Sequence, residues 1–249
     1  MTHAKLPMLV MDTATTAMTV AWLGDHAEVT GRVTTAVRNH SIQLAPEIKQ
    51  LFHDVQQDRS MIRGIACGIG PGSYTGVRIG VTVAKTMAWA LNVPVWGVSS
   101  MLSLVWSGWA SITHVDNKLA WLVPLTDARR GQAFTGWYEY DATNNRMMEV
   151  TRDQVANALE WIQHILTMAE AKDAVIYLIG DLDKFIGLPL DERIRYIQCT
   201  MNPEGMASAV RQVIQNELPT LAHDLAPNYT QLAEAERKWI EAQKPQLEV

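Results

Sequence analysis

The chain has 249 residues, 48% of them hydrophobic and 19% charged, with a formal net charge of −5. This length and composition support one large domain or two modest ones sharing a cleft, and they exclude a disordered chain. The acidic balance, with no basic cluster larger than Arg129-Arg130, argues against a protein that grips nucleic acid by itself, and the two distant cysteines, Cys67 and Cys199, exclude a cysteine-built zinc site and speak against a disulfide framework.

The first apolar run stops at Asp12, too early for a signal peptide, and nowhere do roughly 18 apolar residues follow one another as a membrane span requires. The expectation is a cytoplasmic, reducing setting with no membrane contact. The tryptophans, Trp89 among them, mostly sit in apolar runs and read as core.

In chain order, residues 8–12 read as a short buried strand, "TATT" as a turn, 17–23 as a second strand and 27–36 as a third, together an antiparallel meander. From Asn39, a candidate N-cap, Ile42, Ala45, Ile48, Leu51, Phe52 and Val55 fall at helical spacing, and Pro46 predicts a kink or a later start. Residues 65–69 form a strand, 75–91 a long helix, 93–98 a strand, and Ser99 or Ser100 caps a helix running to about residue 110. The second half restarts on a similar plan. Strands at 119–125 and 133–140 are joined through "TDARRGQ", and a helix is predicted over 152–169, with Asp153 near its start and Val155, Leu159, Ile162 and Leu166 along one face. Strands at 175–179 and 194–198 follow, and Asn202-Pro203-Glu204 opens another helix by N-cap and first-turn proline logic. A loop-rich stretch at 218–230 leads to a final short helix over 232–243 and a frayed tail. Each half places an aspartate at a strand end, Asp12 and Asp127, which suggests a duplication.

The stretch "GIGPGSYTGVRIG", residues 68–80, sits where a strand hands over to a helix. Glycines allow close backbone approach, and a helix N-terminus offers free N–H groups and partial positive charge, so Gly70, Gly72, Ser73 and Thr75 are candidates for a phosphate loop. The stretch lacks the lysine ending of a P-loop and the acidic follow-up of a dinucleotide fingerprint. A tight structural turn capped by Ser73 or Thr75 explains it equally. Asp12, Thr13 and Thr15 form an acid-plus-hydroxyl turn of the kind that cradles phosphate in actin-like ATPases, with Ala14 where glycine usually stands; an Asx-turn is the alternative. Gly76, Gly80, Ala84 and Ala88 lay a small-residue groove along the long helix. That groove meets either the chain's own sheet or a partner's helix.

His40 lacks the second histidine that a metal pair needs, since residue 44 is leucine, and neither HExxH nor GxSxG occurs. Asp127 with Arg129 and Arg130 reads as an anion site or as a surface salt-bridge turn. No catalytic or metal-binding constellation emerges.

"MLVMDTATTAMTVAW", "GIGPGSYTGVRIG", "AKTMAWALNVPVWGVSS" and "DARRGQAF", in this order, resemble the TsaB family, also called YeaZ and once described as glycoprotease-like. The likeness is dense over the first 140 residues. Pro227-Asn228-Tyr229-Thr230-Gln231 stands where the family has a proline-tyrosine-leucine-arginine segment, so Thr230 and Gln231 depart from the pattern. The resemblance implies an α/β fold of the actin-like, ribonuclease H-like kind with duplicated lobes. Residues 1–110 would form the first lobe and carry the interface, 111–230 a reduced second lobe, and 231–249 a helix and tail packing back on the first. It implies a non-catalytic dimerisation subunit, partner of the TsaD transferase, in forming threonylcarbamoyladenosine beside the tRNA anticodon. A TsaE-like ATPase would be a further partner, the chain would pair with itself when alone, and tRNA would be met through the complex. No cofactor is expected to be held tightly by this chain, with ATP and metal on partner subunits. Ile42, Ala45, Ile48, Gly76, Gly80, Ala84 and Ala88 become the interface candidates. Two other classes stay open: a stand-alone ATPase or small-molecule kinase of the actin-like fold, and a peptidase.

Overall fold

The computed structural model describes residues 6–26, 28–35, 40–112 and 119–230. The first sheet contains β1 (Met8–Asp12), β2 (Ala17–Leu23), β3 (Val29–Thr35), β4 (Gly64–Gly68) and β5 (Val95–Val98), in the order β3-β2-β1-β4-β5. The β1–β2 and β2–β3 pairs are antiparallel, and the β1–β4 and β4–β5 pairs are parallel. The second sheet contains β6 (Leu119–Asp127), β7 (Gln132–Asp141), β8 (Arg146–Asn157), β9 (Ala174–Gly180) and β10 (Ile194–Gln198), in the order β8-β7-β6-β9-β10. It carries the same pattern of two antiparallel pairs followed by two parallel ones. Strand for strand, the second sheet repeats the order and directions of the first.

Among the described residues five α-helices complete the layers: α1 (His40–Asp54), α2 (Tyr74–Leu91), α3 (Ser100–Trp109), α4 (Ala158–Lys172) and α5 (Pro203–Asn216). Strand side chains alternate between two faces, and the strands β1, β2, β4 and β9 are buried on both faces, while β3, β8 and β10 are partly exposed. In β1, Leu9 and Met11 join Leu44 and Leu51 of α1 and Val77 and Ala84 of α2 on the outer side. Met8 and Val10 turn inward, to Met101 and Val105 of α3, Met206 and Val210 of α5, and Leu122 and Tyr177 of the second sheet. Trp121 and Val123 of β6 turn outward to Ile162 and Leu166 of α4. The order through the molecule is therefore α1/α2, first sheet, α3/α5, second sheet, α4. No helix among the described residues is long and apolar enough to cross a membrane.

Several expected boundaries shift for local reasons. α1 begins at His40, ahead of Pro46, so the later start is not adopted, and the candidate cap Asn39 lies outside the described residues. β5 starts at Val95 because Asn92 closes α2 in the left-handed conformation (φ 51) and Val93 N–H still donates to Ala88 O. The helix expected over 152–169 is a correction. Residues 152–157 continue β8, pairing along β7 from Thr135–Gln154 to Gln132–Asn157. The helix starts only at Ala158, where Asn157 Oδ1 accepts from Leu159 N and Glu160 N. Leu159, placed on the helix's apolar face by spacing, is 43% exposed, and Trp89, read as core, is 79% exposed. The expected helix over 232–243 lies outside the described residues.

Candidate functional site

Because β1 and β4 are parallel neighbours, their C-terminal ends lie side by side, and the turn after Asp12 meets the glycine-rich loop after Gly68. The loop closes onto the turn through backbone. Ser73 N–H donates to Ala14 O (2.7 Å), and Ala14 N–H donates to Asp12 Oδ1 (2.7 Å). A Cβ at Gly72 would overlap Ala14 O, and one at Gly76 would overlap Thr13 O, so only glycine permits this approach. Thr13 adds a side-chain tie. Its hydroxyl donates to Gly76 O (2.6 Å) and accepts from Gly80 N–H (3.1 Å), bridging two groups that a helix ordinarily joins to each other. Ser73, not Thr75, is the N-cap of α2, accepting from Gly76 N–H at 3.3 Å.

Asp12 is fully buried beneath this junction. Its Oδ2 accepts from Ser100 Oγ (2.6 Å), and Ser100 Oγ accepts from Gly70 N–H (3.1 Å). Burial pushes the Asp12 pKa up to about 6, against the opposing pull of the Ser100 and Ala14 hydrogen bonds. The neighbouring Ser99 faces the other way. While capping α3 through Leu102 N–H, it donates to Asp153 Oδ2 (2.5 Å), and Tyr138 OH donates to Asp153 Oδ1 (2.5 Å). Asp153 is likewise raised to about 6, by burial first, with Glu149 adding to the rise and the two hydroxyls opposing it. Two consecutive serines thus tie a carboxylate from each sheet, Asp12 fully buried and Asp153 partly buried, to the N-terminus of one central helix. This second carboxylate was missed because 152–157 was read as helix. The available signal was Asn157, a good N-cap residue followed by the apolar helical run.

A cleft of about 910 Å³ lies between the C-terminal ends of β1 and β4 on one side and those of β6 and β9 on the other. Thr15, Gly72, Ser73 and Thr75 line it from the side of the first sheet, with His40 and Tyr74. Thr126, Asp127, Arg129, Asp181 and Lys184 face them from the side of the second, and Asn228, Tyr229 and Thr230 complete the rim. Asp12, Thr13 and Gly70 lie beneath it and do not line it. Asp127 Oδ1 accepts from Arg129 N–H (2.7 Å), an Asx-type turn, and among the described residues the Arg129 side chain has no partner; the expected salt-bridge turn is not formed. Among the described residues no three His, Cys, Asp or Glu side chains converge as a metal site would need.

A nucleotide is the ligand that an actin-like cleft implies, and the fit can be tested on Ala14. Its N–H is given to Asp12 and its carbonyl to Ser73, so the turn that would wrap a phosphate is closed on its own loop. The residues present do not fit a tight phosphate cradle.

The interface candidates divide. Ile42 (71% exposed) and Ala45 face outward on α1, whereas Ile48 is buried. Gly76, Gly80, Ala84 and Ala88 are buried in the outer core of the first sheet, with Gly80 against Thr13 and Cys67. The small-residue groove therefore meets the chain's own sheet and presents no surface to a partner, which corrects that part of the expectation.

Two sheets of this matching order, with helices between and outside them, define an α/β protein of the actin-like, ribonuclease H-like class. A family model described as TsaD, tRNA N6-adenosine threonylcarbamoyltransferase, matches residues 31–239. A Bacillus subtilis protein named tRNA threonylcarbamoyladenosine biosynthesis protein TsaB is 33% identical over 249 residues, covering 96% of this chain and 100% of that one. The Escherichia coli protein of the same name is 30% identical over 138 residues, 55% of this chain and 56% of its own length. Among solved structures, YeaZ from Pseudomonas aeruginosa superposes with a TM-score of 0.72 at 22% identity, over 90% of this chain and 100% of that one. The chain belongs to the TsaB family.

Proposed function

We propose that this chain is the scaffold subunit of a complex that forms threonylcarbamoyladenosine on tRNA, beside the anticodon, acting as the partner of a TsaD-type transferase and not as a catalyst. The observation that carries this reading is the closed turn at Ala14: the groups that would grip a phosphate in an actin-like enzyme hold the fold together instead. Relatives named for the biosynthesis of this nucleoside supply the pathway. In this reading ATP and metal are handled by the partner subunits, a TsaE-type ATPase engages the assembled pair, and the isolated chain pairs with itself.

The docking surface is the outer face of α1 and α2, which points away from the second lobe. Ile42 on α1 and Trp89 on α2 are exposed there at 71% and 79%. Large apolar side chains left this exposed are typical anchors of protein interfaces. Ile42→Asp and Trp89→Asp should leave the melting temperature unchanged and weaken association with the TsaD-type subunit by tenfold or more. Unchanged association for both would remove this face from the account.

One observation favours a second reading, a nucleotide-handling enzyme: the size of the interlobe cleft and the cations Arg129 and Lys184 on its far wall. ATP turnover by the isolated chain would select it.

A further inference from the structure

At the rim of the cleft, two tyrosines from distant parts of the chain stack on each other. Tyr74 opens α2, Tyr229 belongs to the segment that departs from the family pattern, and their ring centroids are 5.2 Å apart with planes at 28°. Arg78, one turn along α2, donates to Tyr74 OH (3.0 Å), and its guanidinium carbon lies 5.3 Å from the Tyr74 ring centre. The column is held at both ends. Asn228 N–H donates to Ile69 O (2.7 Å), which pins the Tyr229 segment to the start of the glycine-rich loop, and Ser73 caps the helix that carries Tyr74.

Neither ring is core. Tyr74 is 47% exposed and Tyr229 49%, so the aromatic stack is displayed at the opening of the cleft. Across that opening stands Arg129, whose guanidinium has no partner among the described residues, while Asp127 is turned back to the Arg129 N–H. Flat aromatic faces, an arginine over one of them and an exposed guanidinium across the cleft are the chemistry that takes up an unpaired base and its phosphate. A protein partner is better served by the apolar Ile42 and Trp89 on the outer face.

We propose that Tyr74, Arg78 and Tyr229 form a stacking platform for an unpaired base of an RNA loop, with Arg129 placed to meet its phosphate. This rests on the reading above for the identity of the RNA, and it gives this chain a direct contact where the expectation was tRNA met indirectly, through the complex. Since the whole chain is acidic, stacking and not counterion release carries the contact, and the salt dependence contributed by this chain is shallow.

The test titrates a labelled tRNA anticodon stem–loop into the complex of this chain with its TsaD-type partner. Tyr229→Ala should weaken RNA binding about tenfold, the scale of one lost base stack. Tyr229→Phe, which keeps the ring, should stay within about twofold, and Arg129→Gln should weaken binding and reduce the salt slope by about one. Unchanged RNA affinity in Tyr229→Ala would overturn the proposal. So would a loss of affinity for the TsaD-type subunit in its place, which would make the platform a protein contact. If the wild-type chain forms no complex, the scaffold reading has failed separately, and the same variants titrated against the isolated chain decide the platform.

Discussion

The Thr13 hydroxyl and the Gly76 carbonyl, 63 residues apart in the chain, meet in a 2.6 Å hydrogen bond inside the fold. With the Gly80 N–H as its second partner, this hydroxyl fastens the turn after β1 to the start of α2. Thr13→Val keeps the shape and removes both bonds, so it should cost about 1–3 kcal/mol in urea denaturation, the range for unsatisfied buried polar groups. Thr13→Ser should recover most of that loss. Equal stability of Val and wild type would mean the bridge carries no energy.

The glycine-rich loop reads as a backbone clamp, and bulk placed in it should unfold the chain before it disturbs any partner. Gly76→Ala drives a methyl into Thr13 O, and Gly80→Trp drives a ring into Thr13 and Cys67. Both should lower the melting temperature, with costs of about 1–3 kcal/mol or more for overpacking. Trp89→Ala, on the exposed face of the same helix, should stay within about 0.5 kcal/mol. A folded, stable Gly80→Trp would contradict the packing described for α2.

Asp12 and Asp153 both have pKa values raised to about 6 by burial. A carboxyl raised in the folded state binds its proton more tightly there than in the unfolded chain. Its stabilisation is therefore complete below the unfolded value near 4 and is lost as pH rises through about 6. Each contributes on the order of 3 kcal/mol to that slope, the size of a rise from the ordinary value of 3.8. Asp153→Asn, which can still accept from Ser99, should flatten stability against pH between 4 and 7 and be at least as stable as wild type at pH 7. A steeper dependence in the variant would reverse the assignment.

Burial pushes the Cys67 thiol well above its ordinary range, with the nearby Asp12 charge adding to the effect, and raises Cys199 to about 11. The thiolate is the reactive form. Neither cysteine should alkylate readily at pH 8 in the folded protein, and both should do so in denaturant. Rapid native labelling of Cys67 would show that the Asp12 junction opens.

Much of this architecture is legible in the residues. β1, β2 and β10 show alternation or short apolar runs bounded by turns, and α5 opens on Asn202-Pro203 as its cap chemistry dictates. The failures are tertiary. Val155 and Leu159 carry helical spacing, yet Ser99 and Tyr138 hold Asp153 in β8, and no local propensity encodes two hydroxyls arriving from α3 and β7. The groove of Gly76, Gly80, Ala84 and Ala88 signals close approach without naming the neighbour, which is the turn at Thr13 and the sheet beneath it. Trp89 is aromatic within an apolar run and still faces outward, because α2 already buries its opposite face.

The most direct test of the scaffold reading is reconstitution. This chain, its organism's TsaD-type subunit, a TsaE-type ATPase, the threonylcarbamoyl donor and unmodified tRNA are combined, and single components are then omitted. The account predicts a stable complex of this chain with the TsaD-type subunit, threonylcarbamoyladenosine formed only when both are present, and no ATP turnover by this chain alone. Failure to associate, together with ATP hydrolysis by the isolated chain, would contradict it and return the interlobe cleft to the status of an active site.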